Sequence, residues 1–169
     1  KEVKRLANKY MKDKVVVSAE DYVDPSKLTQ VYYDIKPHLK LSLLVHLLKK
    51  EERESSDLSM VFCNTRKTVN FVERNLKKEG IKAQAIHGGF SLNQRDNAMD
   101  NFDSGDVDVL VCTDVAARGL DIPNVSHIYN YDIPRDSKQY IHRIGRTARA
   151  GEKGKAINLL SPRDHDSFR

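Results

Sequence analysis

The spacing of apolar residues changes several times along the chain, and each change marks an element. Lys1 to Lys12 carries Val3, Leu6, Ala7, Tyr10 and Met11 on one helical face. Asp13 to Lys27 fits neither period and holds the turn signal Asp24-Pro25-Ser26. From Leu28 the pattern is regular. Val31 to Ile35 reads as a strand, and Leu39, Leu43, Leu44, Leu47 and Leu48 form a helical stripe. After a polar loop from Glu51 to Asp57 come a short apolar strand, Met60 to Cys63, and an amphipathic helix, Thr68 to Lys78, with Gly80 at its C-cap. Ala83 to His87 is the next strand. Gly88-Gly89 turns the chain, and Ser91 is placed to cap a helix through Phe102. Val107 to Thr113 and Val125 to Tyr131 predict further strands, and Arg135 to Arg149 a helix weakened by Gly145. Ala156 to Leu160 is the last strand, and Pro162 is placed to open another helix.

Strands alternating with helices, several of them continuously apolar, predict an α/β fold: an open, mostly parallel sheet with helices on both faces. Residues 1–27 read as a helix and linker from the end of an upstream domain, and 28–169 as the domain itself. Ligands of such folds bind beyond the carboxyl ends of the strands. The loops after Cys63, His87, Thr113 and Asp132 are therefore the ones to inspect.

Composition narrows the class. The chain has 169 residues, 39% hydrophobic and 31% charged, which excludes a wholly disordered polypeptide. No apolar run is long enough to span a membrane, and the first residues lack the apolar core of a signal peptide. The expected location is intracellular, the cytoplasm first and the nucleus as the alternative. Cys63 and Cys112 sit inside apolar runs and read as buried free thiols. The net charge of +5 permits an anionic partner without requiring one.

Four segments carry groups that bind anions. Asn64-Thr65-Arg66 stands between a strand and a helix, where amides, hydroxyl and guanidinium suit phosphate, and where Asn64 or Thr65 equally serves as an ordinary cap. Gly88-Gly89 allows close approach of a backbone to a ligand, or makes a simple turn. Thr113 ends a strand, and Arg118-Gly119-Leu120-Asp121 sets a cation and a carboxylate around a glycine. That arrangement suits a ribose or a surface ion pair. Arg143, Arg146 and Arg149 recur every three residues, so on a continuous helix they would share one side. Clustered arginines with few acidic neighbours in sequence suit a polyphosphate or a nucleic-acid backbone.

Other chemistries are missing. There is no Walker-type G-x-x-x-x-G-K-[ST] loop; Gly154-Lys155 lacks the hydroxyl and runs into a strand. Histidines and cysteines show no metal-ligand spacing, so no metal site is expected. No G-x-S-x-G elbow occurs.

With these segments in hand, the chain resembles the C-terminal RecA-like domain of DEAD-box ATP-dependent RNA helicases, over roughly Leu28 to Arg169. MVFCNTR at 60–66 is similar to motif IV, VLVCTDVAARGLD at 109–121 to motif V, and YIHRIGRTAR at 140–149 to motif VI, in the family's order. The resemblance implies half of an RNA helicase. Arg146 and Arg149 would be arginine fingers for ATP, with Gly119 and Asp121 also at the nucleotide. Thr65, Arg66, Gly88, Arg95 and Thr113 would line the RNA phosphate track. Arg118, His142 and Arg143 would couple this domain to an N-terminal RecA-like partner domain. ATP would come with Mg2+ held by that other domain, so the chain alone is expected to be an inactive monomer without membrane association. Two departures stand out. Leu92 replaces a Gln the family often has, and its neighbours Ser91, Asn93 and Gln94 favour an exposed position over packing on Phe90. Ala148 replaces a usual Gly, a change expected to favour helix. Two rival readings are a stand-alone RNA-binding module and a degenerate scaffold for protein interaction.

Overall fold

The computed structural model describes residues 26–50, 58–118, 120, 122, 125–148 and 152–164. Their six strands form one open sheet in the order β1-β6-β5-β2-β4-β3, every pair parallel. The strands are β1 (Leu28–Asp34), β2 (Ser59–Phe62), β3 (Ala83–Ile86), β4 (Val109–Cys112), β5 (His127–Asn130) and β6 (Gly154–Leu160). The helices are α1 (Lys40–Lys50), α2 (Arg66–Lys78), α3 (Leu92–Asp103), α4 (Asp114–Ala117) and α5 (Ser137–Ile144), with a 3-10 turn at Pro37–Leu39. The doubly covered parallel sheet expected from the pattern is the observed architecture.

Strand alternation divides the core in two. Val61, Val109, Val111, Tyr129 and Ile157 face α1 and α2, meeting Leu44, Leu48, Val69, Val72 and Leu76. Their neighbours Met60, Phe62, Leu110, Cys112 and Ile128 face the other way, against Ala98, Met99 and Phe102 of α3 and Ala116 and Ala117 of α4. Central strands buried on both faces explain the unbroken apolar runs in sequence. Both cysteines are buried and free. Burial is the main cause that pushes both thiols upward, so neither is poised as a nucleophile.

Local chemistry sets the helix ends that matter. Thr65 caps α2, its Oγ1 accepting the Thr68 amide at 3.0 Å. At the other end Gly80 has φ +78°. Its N–H reaches the Lys77 carbonyl at 3.0 Å and that of Ile81 the Leu76 carbonyl at 3.0 Å, a Schellman ending. Ser91 and Gln94 form a reciprocal capping box on α3.

Three expectations need correction. The helix predicted over 135–149 ends at Ile144, with Gly145 as its C-cap. Beyond it the chain is pulled inward. Thr147 is fully buried, its hydroxyl donating to the Val125 carbonyl and, at 3.2 Å, to that of Ser126. The Val125 amide answers by donating to the Arg146 carbonyl at 3.0 Å. Ala148 therefore does not extend a helix: it sits at φ +54°, the left-handed region that a glycine would enter without strain. The third correction is α4, a one-turn helix within a stretch read as loop. Pro162 stands in a turn, and the predicted helix Lys1 to Lys12 lies outside the described residues, as does the loop Glu51 to Asp57.

Candidate functional site

The loops after β2, β4 and β3 leave strands that are neighbours in that order. Adjacent strands lie about 4.8 Å apart. Thr65-Arg66, Thr113 and His87-Gly88 are thereby laid side by side along one carboxyl edge. At β2 and β5 the connections diverge, α2 lying on one face of the sheet and α5 reaching Phe62 on the other. A crevice opens at such a switch point.

At the β3 side, His87 is buried. Its Nδ1 accepts the Gly89 amide at 3.1 Å, which leaves the proton on Nε2 to donate to Asn70 Oδ1 at 3.0 Å. Burial holds its pKa below the ordinary histidine value, and the nearby Arg66 and Arg95 charges push the same way. Both guanidinium charges thus act on one neutral imidazole. Neither pairs with a carboxylate among the described residues. A Cβ at Gly88 would come within 3.1 Å of the Arg66 guanidinium, so the glycine is what lets that group lie against the backbone. Arg95 Nε is buried with no hydrogen-bond partner among the described residues. An orphaned buried donor costs about 1–3 kcal/mol, and one on a cation points to an anion. Leu92 is 72% exposed, while Phe90 packs on His87 with ring centroids 4.3 Å apart, so the exposed position expected for Leu92 is the one observed.

At the β4 side, Thr113 precedes α4 without a side-chain capping bond. It lines a cleft of about 220 Å³ with Asn64, Arg118, Arg135 and Gln139. Arg118 and His142 are exposed, and both border a second, narrower cleft beneath α5. Arg146 lies in the turn after α5 and donates to the carbonyls of Ala117 at 3.1 Å and Leu120 at 3.4 Å.

Arg143 is not on a shared face with Arg146. It is only 1% exposed, and all of its donors are used. Nε and Nη2 grip Asp114 at 2.7 and 2.8 Å, and Nη2 also reaches Asn64 Oδ1 at 3.0 Å. Nη1 donates to Asn130 Oδ1 at 2.9 Å and to the Asp132 carbonyl at 2.6 Å. The guanidinium also lies over the Phe62 ring, 5.1 Å from its centroid. The acidic partner is 29 residues away, which is why sequence neighbours gave no hint of it. From Arg143 the bonding runs on through the sheet. Asn130 donates to Asn158 at 2.8 Å, Asn158 to Tyr140 Oη at 3.2 Å, and Tyr140 to Gln30 at 2.7 Å.

Sequence reasoning singled out Thr65, Arg66, Gly88, Arg95 and Thr113, and the fold sets them along one edge. It missed Asn64 as more than a cap: its amide N–H donates to Asp132 at 2.9 Å and its side chain to the Ile133 carbonyl at 2.9 Å, tying β2 to β5. It also missed Asp114, Asn130 and Asn158; polar residues inside or beside apolar strands were the available signal. Gly119, Asp121 and Arg149 lie outside the described residues. No three His, Cys, Asp or Glu side chains among the described residues are grouped to hold a metal ion. Nor is any described helix long and apolar enough to cross a membrane.

Comparison with known proteins gives consistent matches. The family model for the helicase conserved C-terminal domain matches residues 39–151. The DEAD-box ATP-dependent RNA helicase CshA of Bacillus licheniformis is 39% identical over 169 residues, 99% of this chain and 34% of that protein. ATP-dependent RNA helicase SrmB of Escherichia coli K12 is 43% identical over 166 residues, 96% of this chain and 36% of that one. The chain thus spans about a third of the length of these relatives. Among solved structures, E. coli SrmB bound to regulator of ribonuclease activity A superposes with a TM-score of 0.77 at 46% identity, covering 82% of this chain and 81% of that one. The C-terminal domain of the DEAD-box protein Dbp5 gives 0.76 at 37% identity, covering 86% and 82%.

Proposed function

Because the chain belongs to the DEAD-box RNA helicases, as their C-terminal helicase domain, we propose that it supplies half of an ATP-driven RNA-unwinding machine. In this reading RNA runs along the carboxyl edge. Arg66 and Arg95 neutralise its phosphates, the Gly88 backbone allows close approach, and the hydroxyls of Thr65 and Thr113 donate to phosphate oxygens. The Thr65 oxygen already accepts the Thr68 amide in the cap of α2, so a phosphate would take the hydroxyl proton, with the Thr68 hydroxyl donating to Thr65 at 2.8 Å.

ATP would be bound between this domain and an upstream RecA-like domain that also carries the magnesium ligands. Gly119 and Asp121 would meet the nucleotide. Arg146 and Arg149 would be brought to it on closure, where fixed guanidinium groups stabilise charge in phosphoryl transfer by roughly a thousandfold or more in analogous enzymes. Arg118 and His142, exposed at the clefts beside α5, would meet the upstream domain. Arg143 would serve coupling from within, by holding Asp114, Asn64 and the exit of β5 in one rigid block. Closure would then bend one RNA strand and destabilise a short duplex.

The observation that carries this reading is the pair Arg66 and Arg95 near one histidine, neither paired with a carboxylate among the described residues, and Arg95 with a buried orphan donor. It is tested by RNA binding to Arg66→Ala. Affinity should fall by a similar factor for all sequences, and the slope of log affinity against log salt should flatten by about 0.7, one single-strand phosphate contact. A loss confined to particular sequences would mean that Arg66 reads bases.

A further inference from the structure

One surface is used by none of the motifs. The outer side of α2 is broad and open, a shallow groove whose described lining belongs entirely to that helix. Lys67, Asn70, Phe71, Arg74, Lys77 and Lys78 line it. On a helix of 3.6 residues per turn, Lys67, Phe71, Arg74 and Lys78 fall in one stripe about 16 Å long. Glu73 also faces the groove but is neutralised by Lys77 at 2.6 Å, and Glu79 by Lys49 at 2.8 Å. Lys67, Arg74 and Lys78 meet no carboxylate among the described residues. Phe71, set among these cations, is 42% exposed although the same helix buries Val69, Val72 and Leu76.

We propose that this α2 groove is a second RNA-binding segment, which takes the single strand on from the Arg66–Gly88 edge and stacks a base on Phe71. The inference rests on the RNA reading above. Two features favour RNA over an acidic protein. Cations flanking an exposed aromatic are what sequence-tolerant single-strand grooves use, the charges following the backbone and the ring taking a base. The groove is also continuous with the proposed track. Lys67 follows Arg66 directly, and Asn70 both lines the groove and accepts the hydrogen bond from His87 that braces the Gly88–Gly89 loop. The stripe has room for about four further nucleotides at the ~3.4 Å spacing of a stacked strand.

The test compares oligouridylates of two lengths, about six and about twelve nucleotides, by fluorescence anisotropy on the 169-residue chain. The wild type should bind the longer one more tightly. A Lys67→Gln, Arg74→Gln, Lys78→Gln triple variant should lose that gain and about two units of salt slope on the long RNA, while its affinity for the short one stays within about twofold. Phe71→Ala should weaken only the longer RNA, by at least about fivefold. Arg66→Ala must weaken both lengths; if it weakens neither, the RNA reading itself has failed. If Arg66→Ala weakens both but the triple variant keeps the full length gain, the groove proposal alone is overturned. Equal loss at both lengths in the triple variant would also overturn it, because that marks bulk charge rather than a path. An acidic peptide that competes with neither RNA yet binds in a manner abolished by the triple variant would reassign the groove to a protein.

Discussion

Replacing Arg143 with alanine removes five donors from a site that has five acceptors arranged around it. Asp114 then keeps a carboxylate 18% exposed with no ion-pair partner among the described residues, and Asn64, Asn130 and the Asp132 carbonyl lose a partner each. Removing one member of a buried ion pair costs about 3–5 kcal/mol. Since Asp114 retains some solvent, the lower end, ~3 kcal/mol, is expected. For a chain of this size each kcal/mol lowers Tm by about 2–4 °C, so Arg143→Ala should melt roughly 6–12 °C below wild type. Arg143→Lys keeps the charge but offers three donors, and should lose about 1–3 kcal/mol through two missing bonds. Adding Asp114→Ala to Arg143→Ala should cost less than Asp114→Ala does alone, because the stranded carboxylate disappears. Calorimetry on the 169-residue chain, without nucleotide or RNA, reads all of these. If Arg143→Ala melts within about 2 °C of wild type, the buried hub does not hold the domain together, and Arg143 acts only when the upstream domain closes on it.

Gly154→Ala should lose ~1–3 kcal/mol, since the new Cβ would stand 2.2 Å from Thr147 Oγ1 and 2.7 Å from the Ala148 amide. Thr147→Ala should relieve only part of that loss, because the backbone clash remains; thermal melts of the three variants decide it. His87 has a lowered pKa in the folded chain, so the unfolded chain binds its proton first as pH falls. The stability it supports is present above the ordinary histidine value of about 6.5 and lost as pH drops through the folded value. The stability gap between wild type and His87→Gln in urea unfolding should therefore shrink from pH 7.5 to pH 5.5, and a constant gap would contradict the assignment. In a longer protein carrying the upstream domain, Arg149→Ala should reduce RNA-stimulated ATP turnover by at least about a hundredfold, acting on kcat more than on ATP affinity. Turnover retained with RNA binding lost would favour the binding-module reading.

The sheet was legible because its central strands are apolar without interruption: Met60 to Phe62 and Val109 to Cys112 read as doubly buried and are. The caps were legible too, since Thr65, Gly80 and Ser91 act through neighbours three or four residues away. What failed was set by distant partners. The helical period through 135–149 gave no sign that Thr147 would be drawn to Val125, or that Ala148 would turn left-handed. The three-residue arginine spacing suggested equivalence, yet Asp114 draws Arg143 inward while Arg146 leaves the helix altogether. The basic face of α2 was visible as letters but reads like any solvated helix until Phe71 is seen among the cations.

The paired asparagines in β5 and β6 have a consequence for how the sheet finds its arrangement. Asn130 and Asn158 are register partners on adjacent strands, bonded through their side chains in a fully buried layer. Most other neighbours in these strands are aliphatic or aromatic and would tolerate sliding. A slip of one residue would turn the two amides to opposite faces of the sheet. If β5 is the strand that slips, Asn130 loses Asn158 and Arg143, and Asn158 loses Asn130, all three side chains being buried. Each stranded group carries a penalty of about 1–3 kcal/mol, so misaligned sheets lie well above the native one even though their apolar burial is similar. The amide pair thus works as a key that admits a single alignment of β5 against β6, and with it a single position for every loop on the carboxyl edge.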